Sequence, residues 1–98
     1  MAKPLIWADR ALKELNNLQE YLYDEWGEKI TQRVINEIFD TINRIQNSPE
    51  QFPLIKKRKK IHRCVASPQT SIFFKVEKEV IEIISIFDNR QDPKKRKL

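Results

Sequence analysis

Leu22-Tyr23-Asp24-Glu25-Trp26-Gly27-Glu28-Lys29-Ile30-Thr31-Gln32-Arg33-Val34, residues 22–34, holds the only glycine of a 98-residue chain between two stretches of helical periodicity. Before it, Ala11, Leu12, Leu15, Leu18, Leu22 and Trp26 recur every three or four residues, the mark of an amphipathic helix. Tyr21 lies on its flank, and Asp9 is the expected N-cap. After the glycine, Ile30, Val34, Ile38, Ile42 and Ile45 form a second stripe, widened by Ile35. Gly27 supplies the left-handed residue that closes a helix, and Asn47-Ser48-Pro49 stops the second one. A single connecting residue folds two long helices back on each other as an antiparallel hairpin.

On the N-terminal side, Pro4-Leu5-Ile6-Trp7 is short and apolar and reads as a strand. On the C-terminal side, Pro49 to Leu54 is an extended two-proline loop, followed by five consecutive cations, Lys56-Lys57-Arg58-Lys59-Lys60. The period then switches to two. Ile61 to Ala66, Ser71 to Val76 and Val80 to Phe87 are strands, joined by Ser67-Pro68-Gln69-Thr70 and Glu77-Lys78-Glu79. The last is the most apolar and is expected at the centre of the sheet, under the helices. The order strand, helix, helix, strand, strand, strand predicts an α+β domain: a helical hairpin packed on one face of a mainly antiparallel four-stranded sheet. Its other face is expected to be partly exposed and to carry the function. One domain spans 1–98, with a basic tail at about 92–98 expected to be frayed.

Composition excludes several classes of function. One glycine rules out phosphate-cradling glycine loops and dinucleotide fingerprints. Cys64 is the only cysteine, so an intrachain disulfide is impossible, and with His62 alone beside it no metal or other cofactor site is expected. No apolar run approaches the roughly 20 residues that span a bilayer, so neither a membrane partner nor a leader is expected, and the location should be cytoplasmic. The net charge of +5 is uneven. Residues 1–47 hold six Lys/Arg against eight Asp/Glu, net −2; residues 48–98 hold thirteen against six, net +7. A basic face from the second half would suit phosphate or an acidic protein segment.

Several runs resemble the RelE/ParE superfamily of bacterial type II toxins. Trp7-Ala8-Asp9-Arg10-Ala11-Leu12-Lys13-Glu14-Leu15, with Leu18, Tyr21 and Leu22, is similar to its opening signature. Ser48-Pro49-Glu50-Gln51-Phe52-Pro53 is similar to its connector after the hairpin. Ile83 to Pro93, ending Arg90-Gln91-Asp92-Pro93, resembles the last strand and ending of ParE-like members. The resemblance implies a toxin encoded with an antitoxin that wraps it, with operator DNA contacted only through the antitoxin complex. It also implies one of two targets: DNA gyrase for ParE-like members, or the ribosome and mRNA, cut without metal, for RelE-like ones. A non-toxic remnant that binds its antitoxin and co-regulates its operon is the third possibility.

Metal-free RNA cleavage needs a base, an acid and cations for the charge growing on phosphate. The resemblance puts Ser71 where RelE-like toxins carry a catalytic arginine, and no Tyr or His follows Phe87. The nuclease pattern is therefore broken at its working positions, and the first expectation is a gyrase-binding toxin. Candidate catalytic residues are His62, Arg63 and Arg90; candidates for binding a partner or phosphate are Lys59, Lys60, Arg63 and Arg90. His62 and Arg63 are adjacent on a strand and should face opposite sides. Arg90 either contacts a partner at the sheet tip or pairs with Asp88 or Asp92 to fix the C-terminal turn. Trp7, Trp26 and Cys64 read as packing residues, and the cation run reads equally as a phosphate attractant or a solvated connector.

Overall fold

The computed structural model describes residues 3–89 and 98. Strand β1 (Leu5–Trp7) leads into helix α1 (Asp9–Trp26), and α2 (Glu28–Asn47) follows after Gly27. A 3₁₀ turn at Pro49–Gln51 then precedes β2 (Leu54–Lys56), β3 (Ile61–Ser67), β4 (Thr70–Val76) and β5 (Ile81–Asp88). The sheet order is β1-β5-β4-β3-β2, with β1 parallel to β5 and every other pair antiparallel.

The helical hairpin forms as the periodicity requires. Ala8, not Asp9, stands at the N-cap of α1. The Ala8 N–H donates to the Ile83 carbonyl at 2.9 Å, so the chain leaves the sheet while still bonded to it. Asp9 becomes the first helical residue, where its charge meets the positive end of the helix dipole. Gly27 adopts φ +82 and ψ −179, a combination outside the left-handed helical well and essentially closed to other residues. Its carbonyl accepts from both the Thr31 N–H at 3.2 Å and the Thr31 hydroxyl at 2.8 Å, which starts α2 without a capping side chain.

The core lies between the hairpin and the sheet. Ile38, Ile42 and Ile45 of α2 and Ala11 of α1 pack on Cys64, Ile72, Phe74, Ile81, Ile83 and Ile86. Leu12, which its spacing puts in the stripe, is 47 % exposed.

Three sequence expectations change. The sheet has five strands, because Leu54–Lys56 adds an edge strand beyond β3. All three of its side chains are exposed, so it left no burial pattern to read. The central strand is β4, while β5 is interior but lies between β1 and β4. The face away from the helices is also less open than its alternation suggests. Ile61, Phe73 and Phe87 are buried there as a second cluster, with Ile84 and Leu98 packed against them.

One irregularity in β5 shapes everything beside it. Phe73 pairs with Ser85 and Phe74 with Ile83, so Ile84 is an extra residue, a β-bulge. The parallel pairing with β1 stops at Ile83, leaving the next part of β5 without a strand neighbour on that side. Glu14 of α1 fills the gap: its Oε1 accepts from the Ser85 hydroxyl at 2.8 Å and from the Ile86 N–H at 3.2 Å. Arg10, one turn earlier, lies 3.5 Å from the other oxygen.

Candidate functional site

The far face of the sheet carries a connected polar group. Arg63 reaches from β3 across to β4, its Nε and Nη2 both donating to the Ser71 oxygen at 3.2 and 3.1 Å. The Ser71 hydroxyl donates in turn to Asn89 Oδ1 at 2.7 Å. One donated and two accepted bonds use the full capacity of a hydroxyl. Asn89 is itself anchored to the β3–β4 turn, its N–H donating to the Gln69 carbonyl at 2.7 Å. Ser71 of β4 thus holds an arginine supplied by the neighbouring strand.

His62 is on the other side. Its ring stacks on Phe74 at 5.1 Å and 10°, and Nδ1 lies 2.9 Å from the Phe52 carbonyl oxygen. A carbonyl can only accept, so Nδ1 carries a hydrogen and donates it. The expected split of His62 and Arg63 onto opposite faces is what the fold shows.

Lys56 ends β2, and residues 57–60 form the tight turn to β3, closed by the Lys60 N–H donating to the Lys57 carbonyl at 3.2 Å. Lys60 takes φ +56, a left-handed conformation that costs a non-glycine residue about 1–2 kcal/mol. All five cations are exposed, and Lys59 Nζ donates to the Leu98 carbonyl oxygen at 2.6 Å. Lys59 and Lys60 lie in this turn, and Leu98, which accepts from Lys59, packs against the Ile61, Phe73 and Phe87 cluster. Arg90 lies outside the described residues.

Between the hairpin and the sheet runs a groove made of two recesses of about 550 and 440 Å³ that share Leu18 and Asp88. Tyr21, Ile86 and Phe87 line the first recess; Leu22, Trp26, Ile30, Val34 and Pro68 line the second. Glu14, Arg33, Glu37 and Asp88 put charges of both signs around it. Of the stripe residues that line the groove, Leu22 is buried as its spacing predicts. Trp26, at the end of α1, is 61 % exposed. Ser71 as a partner of Arg63, and Asn89, were not legible as site features, because both depend on the register of β3, β4 and β5.

Cys64 is buried on the helix side. Burial pushes its thiol above the ordinary value, and the nearby Arg44 charge offsets this in part. The thiolate is the reactive form, so the native protein should react with iodoacetamide at pH 8 at least about tenfold more slowly than the unfolded chain. Equal rates would show that the strand opens readily. The raised value also means that the stability Cys64 contributes is complete below the ordinary thiol range and is lost as pH rises through it.

Among the described residues no helix is long and apolar enough to cross a membrane. No curated protein matches the sequence significantly. Among solved structures, the chain is similar to a chromosomal ParDE toxin–antitoxin system from P. aeruginosa, with TM-score 0.77 and 16% identity over 89% of this chain and 96% of that one. It is also similar to the E. coli DinJ–YafQ toxin–antitoxin complex (TM-score 0.67, 9% identity, 92% of this chain and 96% of that one). The RelBE2 toxin–antitoxin complex from Mycobacterium tuberculosis gives 0.61 and 11% over 91% of this chain and 100% of that one. Likeness at such identities shows the fold. The sequence itself is more specific: residues 5–93, from β1 to beyond β5, match the family described as the ParE toxin of the type II toxin–antitoxin system parDE, so the chain belongs to the ParE toxin family.

Proposed function

We propose that this toxin acts by binding DNA gyrase, and that a cognate antitoxin neutralises it by occupying the hairpin groove. The observation that supports the gyrase reading is the separation of His62 from Arg63. Metal-free cleavage needs a proton-transfer group and a cation at one phosphate. His62 is tied to Phe52 and Phe74 on the helix side, while Arg63 is tied to Ser71 on the other. What Arg63, Ser71 and Asn89 offer together is a permanent charge and hydrogen-bonding groups, which suits recognition of a partner. A RelE-like endonuclease acting on mRNA at the ribosome is the second reading, favoured by Arg63 as a fixed cation of the kind that stabilises charge on a phosphate.

The antitoxin reading draws on the P. aeruginosa and E. coli structures, whose toxins are seen in toxin–antitoxin systems. The groove suits an amphipathic segment with apolar anchors, and the basic second half suits acidic residues flanking it.

Induced expression separates the two targets. A gyrase inhibitor should halt growth with filamentation and loss of negative supercoiling of a reporter plasmid, while translation continues at first. Arrest of translation within minutes, with codon-linked cuts in primer extension and supercoiling intact, would favour the endonuclease instead.

A further inference from the structure

We propose that Ser71 and Asn89 are positioning residues that set the Arg63 guanidinium as a fixed fork for a carboxylate on the protein target. An exposed arginine is normally mobile, and ordering it on binding is costly. Here the Nε edge is committed to a fully buried serine oxygen, with Nε and Nη2 converging on one atom. That serine is fixed by Asn89, and Asn89 by the β3–β4 turn. Among the described residues nothing else engages the outer edge of the guanidinium, Nη1 and the second Nη2 hydrogen, which can receive a pair of oxygens.

The surroundings select the kind of anion. Arg63 lies opposite Phe73, and Ser71 lies between Val65 and Phe87. Val65 is 54 % exposed, so the fork stands beside an open apolar side chain on this face. Binding to a polyanion draws on many spread cations; among the described residues the run of five stands in the 56–60 turn, and Lys75 of β4 is paired with Glu77 at 3.9 Å. One oriented guanidinium with an apolar neighbour fits a protein surface that presents a single carboxylate among apolar groups. The owner of that carboxylate rests on the gyrase reading; the fork does not.

The test follows the Arg63 Nε–H resonance of the whole protein by NMR during titration with acetate and then with inorganic phosphate, with gyrase affinity measured in parallel. In the wild type the Nε–H should be protected from exchange, and acetate should shift it at lower concentration than phosphate. Ser71→Ala should speed its exchange about tenfold or more and weaken both the acetate response and gyrase binding about five- to tenfold. Ser71→Thr, which keeps the hydroxyl, should restore them, and melting curves should exclude loss of fold. Arg63→Lys should lose as much gyrase affinity as Arg63→Ala, because an ammonium keeps the charge and lacks the fork. Wild-type binding to gyrase by Ser71→Ala with a freely exchanging Nε–H overturns the proposal, as does a response to phosphate alone. An acetate response that depends on Ser71, without any gyrase binding, supports the fork and removes gyrase as its target.

Discussion

Replacing Glu14 by Ala is expected to lower the unfolding free energy by about 3 kcal/mol, the largest stability loss from any single charged residue described here. The side chain accepts two bonds at the β5 bulge, from the Ser85 hydroxyl and the Ile86 N–H, and Ser85 is fully buried. Truncation strands both donors next to the core, where each unpaired group costs about 1–3 kcal/mol. For a chain of this length that corresponds to a fall in melting temperature of roughly 12–24 °C. Glu14→Gln keeps an acceptor oxygen at the same reach and should recover more than half of the loss. The Arg10 contact adds little to what Glu14 contributes, since it is long and partly solvated. Thermal unfolding of the two Glu14 variants checks this. A drop of less than about 1 kcal/mol for Glu14→Ala would mean that water replaces the carboxylate at the bulge.

The second large effect concerns the antitoxin. Trp26→Ala should leave the melting temperature nearly unchanged, because the indole is mostly exposed at the end of α1. It should nevertheless weaken antitoxin binding by about 30-fold to 1,000-fold, on the order of 2–4 kcal/mol, as expected for a tryptophan anchor that the bound partner desolvates. In cells the variant should remain toxic and escape neutralisation. Titration calorimetry with the antitoxin encoded beside the toxin gene measures the effect. A change of less than twofold would move the antitoxin away from the end of the groove lined by Trp26, Leu22 and Val34.

The hairpin was legible because helical period and one glycine are local signals, and each survives in the fold. The edge strand Leu54–Lys56 was not, since exposed residues between a proline and a run of cations carry no alternation. The bulge in β5 could not be read from Ile83-Ile84-Ser85-Ile86 either. What stabilises it is a carboxylate from α1, 71 residues earlier in the chain. The same holds for the candidate site. Alternation alone separates His62 from Arg63, but the Arg63–Ser71–Asn89 chain depends on the register of β3, β4 and β5 and on the turn that anchors Asn89. Trp26 illustrates the opposite error. Its spacing marks it as part of the packed stripe, yet it is mostly exposed and lines a groove.

If this ParE-family toxin binds DNA gyrase as proposed, it should disable the enzyme and leave RNA intact. The most direct measurement adds the purified protein to DNA gyrase and relaxed plasmid, and in parallel to ribosomes translating a defined message. Loss of supercoiling at near-stoichiometric toxin, restored by the antitoxin and weakened by Arg63→Ala, with uncut message, is the predicted result. Full supercoiling activity alongside codon-linked cleavage of the message would contradict it.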